Sequence, residues 1–539
     1  MRLGRNRYSL VIALTLALMI MISLAGCRTP EDSSGGPTGG ELTPQEGGTL
    51  VVAYWSDPIS FNPDMKVDDA GYGIYPNIFN QLVTSDADFN VIPDLAKDWE
   101  VTNEGMTYTF FLREGVTWHD GEPFTSADVM WTLATIIEEG GSASDSLSII
   151  DTIDTPDEHT VVITLKAANA PFMSFLAYYG TYIMPKHIYE GTDWAENPAN
   201  QDPVGTGAFK FVEWVKGDHI TLEANEDYWG EGPYVDRVVY KIIPDASTAL
   251  QSFLGGEVDI NKNRAPLAQI PALQNNSSVT VNVTSTPARY YAAFNLADKD
   301  RPMADLKVRK AIALAVDRHR IAERGLQGFG SAAEGFYTPA ITWAYNNESV
   351  LPDQDLEAAK SLLDEAGYPA QKDGIRFSIV LPYMTGQSYG DMAALIKDDL
   401  VAIGIDVELQ ELEISAWMST VLSNKDFDLT LLNGTQGPDP DNLRLRIGTG
   451  AYVNASSYSN DEVDQLLEQG AILPDPADRA TYYKQVQEIM AEELPILPLA
   501  EAMSVYVYKS YVHGTPDNEA RGQVPDNNYS LVWLEGLDK

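Results

Sequence analysis

Cysteine is almost absent from this sequence: Cys27 is the one residue of its kind in 539. An internal disulfide framework is therefore excluded, and so are metal sites built from several thiolates. Histidine is nearly as scarce. His119, His159, His187, His219, His319 and His513 stand apart, and none pairs at the i, i+4 spacing of a helical metal site. Positive charge is also short, with 36 Lys and Arg against 78 Asp and Glu, a net charge of −42. A field of that sign repels phosphate backbones and anionic headgroups, which excludes nucleic acid as a partner. The acidity itself reads as a solvated surface. No Gly-Lys-Ser/Thr phosphate loop occurs, and Asp439-Pro440-Asp441-Asn442 lacks the glycine and later Glu of a calcium loop. Past residue 24 no run is apolar enough to cross a bilayer, and no internal repeat is visible.

The N-terminus carries what the rest lacks. Arg2, Arg5 and Arg7 precede an almost wholly apolar stretch from Ser9 to Leu24, followed by Leu24-Ala25-Gly26-Cys27. Short apolar runs ending in small residues are cleavage signals more often than spans. This pattern resembles a bacterial lipoprotein signal with its lipobox. The resemblance implies a signal peptide over 1–26, cleavage before Cys27, and acylation of Cys27 that holds the protein at the membrane. The other reading is an uncleaved anchor with an incidental cysteine. Cleavage would remove three positive charges and take −42 to −45. Residues 27–47 are Gly, Pro, Ser, Thr and acid with almost nothing apolar, the composition of a flexible tether.

The remaining chain is 44% hydrophobic overall and long enough for two or three packed units. Its pattern is mixed α/β. Tyr108–Leu112, Thr160–Leu165, His219–Leu222 and Arg237–Ile243 read as strands. Thr125-Ser126-Ala127-Asp128 is a capping box opening a helix through Ile137. A helix is expected over Asp355–Ala366 with Gly367 as its stop. Phe377–Leu381, Asp391–Ile403 and Ile405–Leu409 follow in strand, helix, strand order, a βαβ unit.

Catalytic candidates are few. Gly386-Gln387-Ser388-Tyr389-Gly390 matches G-x-S-x-G, but the only downstream histidine is His513. A secreted serine hydrolase using Ser388 is one alternative; a polar turn that caps the next helix is the other. No catalytic constellation, metal site or cofactor motif emerges, so the chain reads as a binding protein and not an enzyme. Its 27 Tyr, 16 Phe and 10 Trp supply both core and cleft-lining area.

Several phrases recur in order along the chain: Ser56-Asp57-Pro58-Ile59-Ser60-Phe61-Asn62-Pro63, Pro93-Asp94-Leu95-Ala96-Lys97-Asp98-Trp99-Glu100, Trp118-His119-Asp120-Gly121-Glu122-Pro123-Phe124, Pro203-Val204-Gly205-Thr206-Gly207-Ala208-Phe209, Ala224-Asn225-Glu226-Asp227-Tyr228-Trp229, Gly256-Glu257-Val258-Asp259-Ile260 and Val308-Arg309-Lys310-Ala311-Ile312. Together they resemble the peptide/nickel class (family 5) of extracytoplasmic solute-binding proteins of ABC importers. The resemblance implies an α/β, two-lobed, periplasmic-binding-protein-like fold of type II with an extra subdomain in lobe I. On this chain lobe I is 48–288 with the subdomain at about 83–184, lobe II is 289–501, and 502–539 returns to lobe I. Hinges fall near Thr286–Tyr290 and Leu499–Val505. The implied mechanism is closure of the lobes on a ligand and recognition of the closed state by the permease.

The same resemblance bears on the ligand. Peptide-binding relatives carry a Gly-Trp-x-Ala-Asp-Tyr-x-Asp-Pro type stretch whose first Asp pairs with the peptide's α-amino group. Aligning on Pro438-Asp439-Pro440-Asp441-Asn442 sets Asn433-Gly434-Thr435-Gln436-Gly437 over Trp-x-Ala-Asp-Tyr, so Gln436 replaces the amine-pairing Asp. An amide offers a dipole where an ammonium wants a counter-charge. Asp439 is then a substitute acid, and Asn433 with Gln436 suits hydroxyls. Oligopeptide is the first expectation and oligosaccharide the second, with nickel disfavoured for want of a His cluster. Trp417 matches a ligand-side aromatic of relatives. Tyr54 and Trp55 are expected either at the cleft or in the core. The run Asp426–Leu432 reads as an edge strand open to a peptide backbone. Arg444 and Arg446 would meet a ligand carboxylate or pair internally. The protein is expected to be a monomer.

Overall fold

The computed structural model describes residues 43–65, 69–86, 90–178, 181–263, 265–385, 388–437, 439–515 and 528–536. The signal segment, Cys27 and most of the tether lie outside the described residues, as do Gly386, Gln387 and Pro438. Among the described residues no helix is long and apolar enough to cross a membrane.

Strand β1 (Thr49–Tyr54) leads into β2 (Val83–Ser85), β3 (Val91–Pro93), β4 (Ala96–Thr102) and β5 (Thr107–Leu112). Helix α1 (Ser126–Glu139) precedes β6 (Ile150–Asp157) and β7 (Thr160–Leu165). The capping box is formed: Asp128 Oδ2 accepts from Thr125 N at 2.8 Å. Burial alternates residue by residue in β5 and β7, as expected of an antiparallel sheet with one covered face, here of order β4-β5-β7-β6. Next come β8 (Phe209–Val215), β9 (His219–Ala224), β10 (Arg237–Ile242), α2 (Ala246–Gly255), β11 (Ile260–Asn261) and the 16-residue β12 (Val279–Phe294).

Beyond β12 the chain forms α3 (Leu306–Ala315), β13 (Gly330–Ala332), α4 (Leu356–Glu365), β14 (Phe377–Met384), α5 (Tyr389–Ala402), β15 (Ile405–Leu412) and β16 (Leu429–Thr435). It closes with α6 (Asp461–Ile472), α7 (Pro476–Glu493), the 14-residue β17 (Ile496–Lys509), β18 (Val512–His513) and β19 (Trp533–Leu534). The βαβ unit is present, since β14 and β15 pair in parallel around α5. Gly404 ends that helix at φ +87°, where an added Cβ would also meet Gly374 O at 2.7 Å.

One sheet of order β16-β12-β17-β11-β1-β10-β9-β8, with β13 also on β17, runs through the molecule. The apolar core beneath it is not continuous. One large cluster holds residues from Tyr290 to Ala500; another holds Leu50 to Ile260 together with Tyr508 to Leu534. A small third cluster includes Phe253, Val258, Ile270 and Val507. The two large clusters share no residue, and β12 and β17 connect them.

Asp64 lies in the second region, fully buried, with Oδ1 accepting from Tyr182 N at 3.2 Å and Oδ2 without a partner. Burial raises its carboxyl well above the ordinary range, and the Tyr182 hydrogen bond only partly opposes this. A raised carboxyl binds its proton more tightly folded than unfolded. Its contribution is therefore complete below about pH 4, the unfolded value, and is lost as pH rises. Asp64→Asn should leave the denaturation midpoint at pH 4 near wild type and raise it at pH 8. An equal shift at both values would show that the charge is not responsible.

Candidate ligand-binding cleft

The connection between the two large cores is an antiparallel pair whose regular register breaks. Ser285 faces Met503 and Arg289 faces Glu501, so three residues of β12 oppose the single Ala502. Pro287 lies inside the break, where a residue without N–H costs no ladder bond. Thr286 Oγ1 donates to Ala502 O at 2.9 Å and accepts from Ala288 N at 3.3 Å. Just beyond, the side chains of Arg289 and Glu501 form a buried ion pair, and Arg289 Nη2 also donates to Gly335 O at 3.1 Å. Burial pushes the Arg289 guanidinium down and the Glu501 carboxyl up, and each opposes the other's shift.

Over this crossing sits a cavity of about 590 Å³. Thr286, Tyr290 and the stretch Ala502–Tyr506 form its floor. Trp55, Lys262 and Ala265–Ala268 wall one side, and Leu326, Gln327, Phe329, Ser388 and Asn433 the other. The size suits a small molecule or short peptide segment. Lys262 is the only lining residue, among those described, that is ionised near neutrality; its Nζ lies 3.7 Å from the Tyr506 ring centroid.

Of the residues singled out from sequence, Trp55 and Asn433 line this cavity. Tyr54 does not. It is in the core, its hydroxyl donating to Ala70 O at 2.7 Å and its ring packed edge-on to Tyr240. Trp417 is likewise core, with Nε1 donating to Thr430 Oγ1 at 3.0 Å. Gln436 is fully buried behind the wall: Oε1 is 3.5 Å from Arg289 Nη1, and its carbonyl accepts from Tyr337 OH at 2.5 Å. Gly434 is a close-approach site, since a Cβ there would meet Arg446 Nη2 at 2.7 Å. Thr435 ends β16 opposite Ala288.

Asp439 is no substitute counter-charge. Both its oxygens are taken by Arg479, at 2.7 and 2.8 Å, and it caps the turn that follows by accepting from Asp441 N at 2.9 Å. Arg444 pairs with Asp441 at 2.9 and 3.1 Å, while Arg446 donates to Asn442 Oδ1. Neither arginine lines the cavity. β16 is an edge in the sheet order, but not an open one along Asp428–Thr430. There Asp428 N donates to Val380 O, Val380 N donates to Asp428 Oδ2, and Thr430 Oγ1 donates to Pro382 O.

The serine hydrolase alternative has no geometry behind it. Ser388 opens α5 at φ +66°, its carbonyl accepting from Met392 N, whereas His513 stacks on Trp533 and contacts Glu535. Sequence reading missed Lys262, Tyr290, Phe329 and Tyr506. Lys262 and Tyr506 carry no local signal, because their place in the cleft depends on strands far apart in the chain.

The profile of bacterial extracellular solute-binding proteins, family 5 (middle), matches residues 90–455. The chain belongs to this family. It is a solute-binding protein, not an enzyme, with the mixed α/β two-lobed fold of the class. Among curated relatives it is 29% identical over 514 residues to oligopeptide-binding protein AppA of Bacillus subtilis, covering 91% of this chain and 93% of AppA. Heme-binding protein A of Haemophilus influenzae is also 29% identical, with 91% and 93% covered. The ABC transporter substrate-binding protein CtaP of Listeria monocytogenes superposes with a TM-score of 0.82 at 25% identity, covering 91% of this chain and all of CtaP. The structure of AppA with a nonapeptide superposes at 0.74 and 27% identity, with 91% and 100% covered.

Proposed function

We propose that the protein captures oligopeptides outside the cytoplasmic membrane and delivers them to the permease of an ABC importer. The observation that carries this reading is the cavity over the β12–β17 crossing, walled from both sides of the break in the core. The likeness to AppA, whose structure holds a nonapeptide, supports the ligand class. Lobe I comprises 48–288 with its subdomain at about 83–184 and the return over 502–539; lobe II comprises 289–501. The hinges are Thr286–Tyr290 and Leu499–Val505, where the register shift lets two long strands bend without losing a regular ladder. The body is a monomer tethered through lipidated Cys27.

A second reading, oligosaccharide, draws on the amide and hydroxyl of Asn433, Gln327 and Ser388 beside the rings of Trp55, Tyr290 and Tyr506. Native mass spectrometry of the full chain in detergent, purified without refolding from cells in rich medium, separates the two. Adducts that resolve into peptides on denaturation are the expected result. A mass ladder spaced by one hexose would replace the peptide reading with the sugar one.

A further inference from the structure

The chain carries 78 acidic residues, yet none of the described residues lining the cleft is acidic, and the one ionised side chain there is a lysine. Carboxylates in the neighbourhood are engaged elsewhere. Glu501, next to Ala502 of the floor, is turned to Arg289. Asp439 is held by Arg479. Asp259, before β11, accepts from Tyr511 OH at 2.6 Å and Val51 N at 2.7 Å. Behind the Asn433 wall stands a further cation, Arg289, within 3.5 Å of the Gln436 amide. Lys262 is only 6% exposed, at the end of β11 on the wall opposite Asn433.

From this distribution we infer that Lys262 is the anion-pairing residue of the cleft, and that the ligands are held by a carboxylate and not by an ammonium. The inference rests on the proposed solute-binding role of this cavity and names the ligand class within it: peptides anchored by their C-terminal or side-chain carboxylate. A carboxylate brought beside a nearly buried ammonium forms a charge-assisted bond in a site that closure dries further. A ligand ammonium in the same space meets Lys262 as a like charge and finds no described lining acid to offset its desolvation. The Tyr506 ring under Nζ orients the lysine but carries no full charge, so it does not substitute for an anion.

The test is titration calorimetry of the full chain in detergent with tetra-alanine in four forms: free, N-acetylated, C-amidated and blocked at both ends. N-acetylation should change Kd by less than about threefold, whereas C-amidation should weaken it by about tenfold or more. Lys262→Met should abolish the difference between acid and amide. An amide that binds as well as the acid, or a tenfold penalty for N-acetylation, overturns the inference; both comparisons use the wild-type chain and do not depend on the variant folding. If none of the four peptides binds, the peptide reading fails, and matched uronic-acid and neutral oligosaccharides decide the charge question. Selective binding of the acids would sustain it. Binding of the neutral series, or of neither, would overturn it.

Discussion

Glu501→Ala should destabilise the protein by about 3–5 kcal/mol, measured as a shift in the denaturant midpoint at unchanged slope. The cost comes less from the lost attraction than from what remains. Arg289 is fully buried, and without Glu501 its guanidinium keeps only the Gly335 carbonyl and the long contact to Gln436. The expected signature is non-additivity. Arg289→Met in the Glu501→Ala background should recover a large part of the loss, because it removes the uncompensated charge. Glu501→Ala alone behaving like an ordinary surface change, within about 0.5 kcal/mol, would mean that the pair is not desolvated as the structure has it. Since the pair joins β12 to β17 at the register break, the single variant should also lower ligand affinity.

Asp439→Ala should cost a similar amount, about 3–5 kcal/mol, for the same physical reason at a different place. Its bidentate partner Arg479 is buried, donates to Gly470 O at 2.7 Å and Tyr483 OH at 3.0 Å, and lies against the Trp343 and Tyr483 rings at 5.2 and 5.4 Å. Tyr483 is itself in the core formed from Tyr290 to Ala500. What distinguishes this variant is binding. Asp439 does not line the cleft, so protein that remains folded at low temperature should hold its ligand with Kd within about twofold of wild type. Loss of affinity at undiminished stability would instead restore Asp439 as the acid that faces a ligand amine.

The neighbouring residues Tyr54 and Trp55 show what could and could not be read in advance. Both were visible as an aromatic pair ending β1, but successive strand residues face opposite ways, and only packing decides which way is the cleft. Tyr54 went to the core under Tyr240 and Trp55 to the cavity. The 433–439 segment divides similarly. Asn433 reaches the cavity, Gln436 turns inward to Arg289 and Tyr337, and Asp439 is claimed by a helix that begins 37 residues later. Trp417 had a helical position and an aromatic ring, which a core and a cleft use equally well.

Local signals carried the elements themselves. Period-two burial in β5 and β7, the capping box at Thr125, and the glycine stop at Gly404 act within a few residues and can be read there. Ordered phrases spread along the chain were enough for the family, and with it the two-lobed fold and the absence of catalysis. Tertiary structure alone decided which side chains meet the ligand space. That space lies over a three-against-one irregularity between strands more than 200 residues apart, and it is walled by Lys262 from one side and Asn433 from the other. Its charge, unlike that of the chain, is set by which carboxylates find arginines across the fold, and such pairings depend on register and long-range packing that no local pattern encodes.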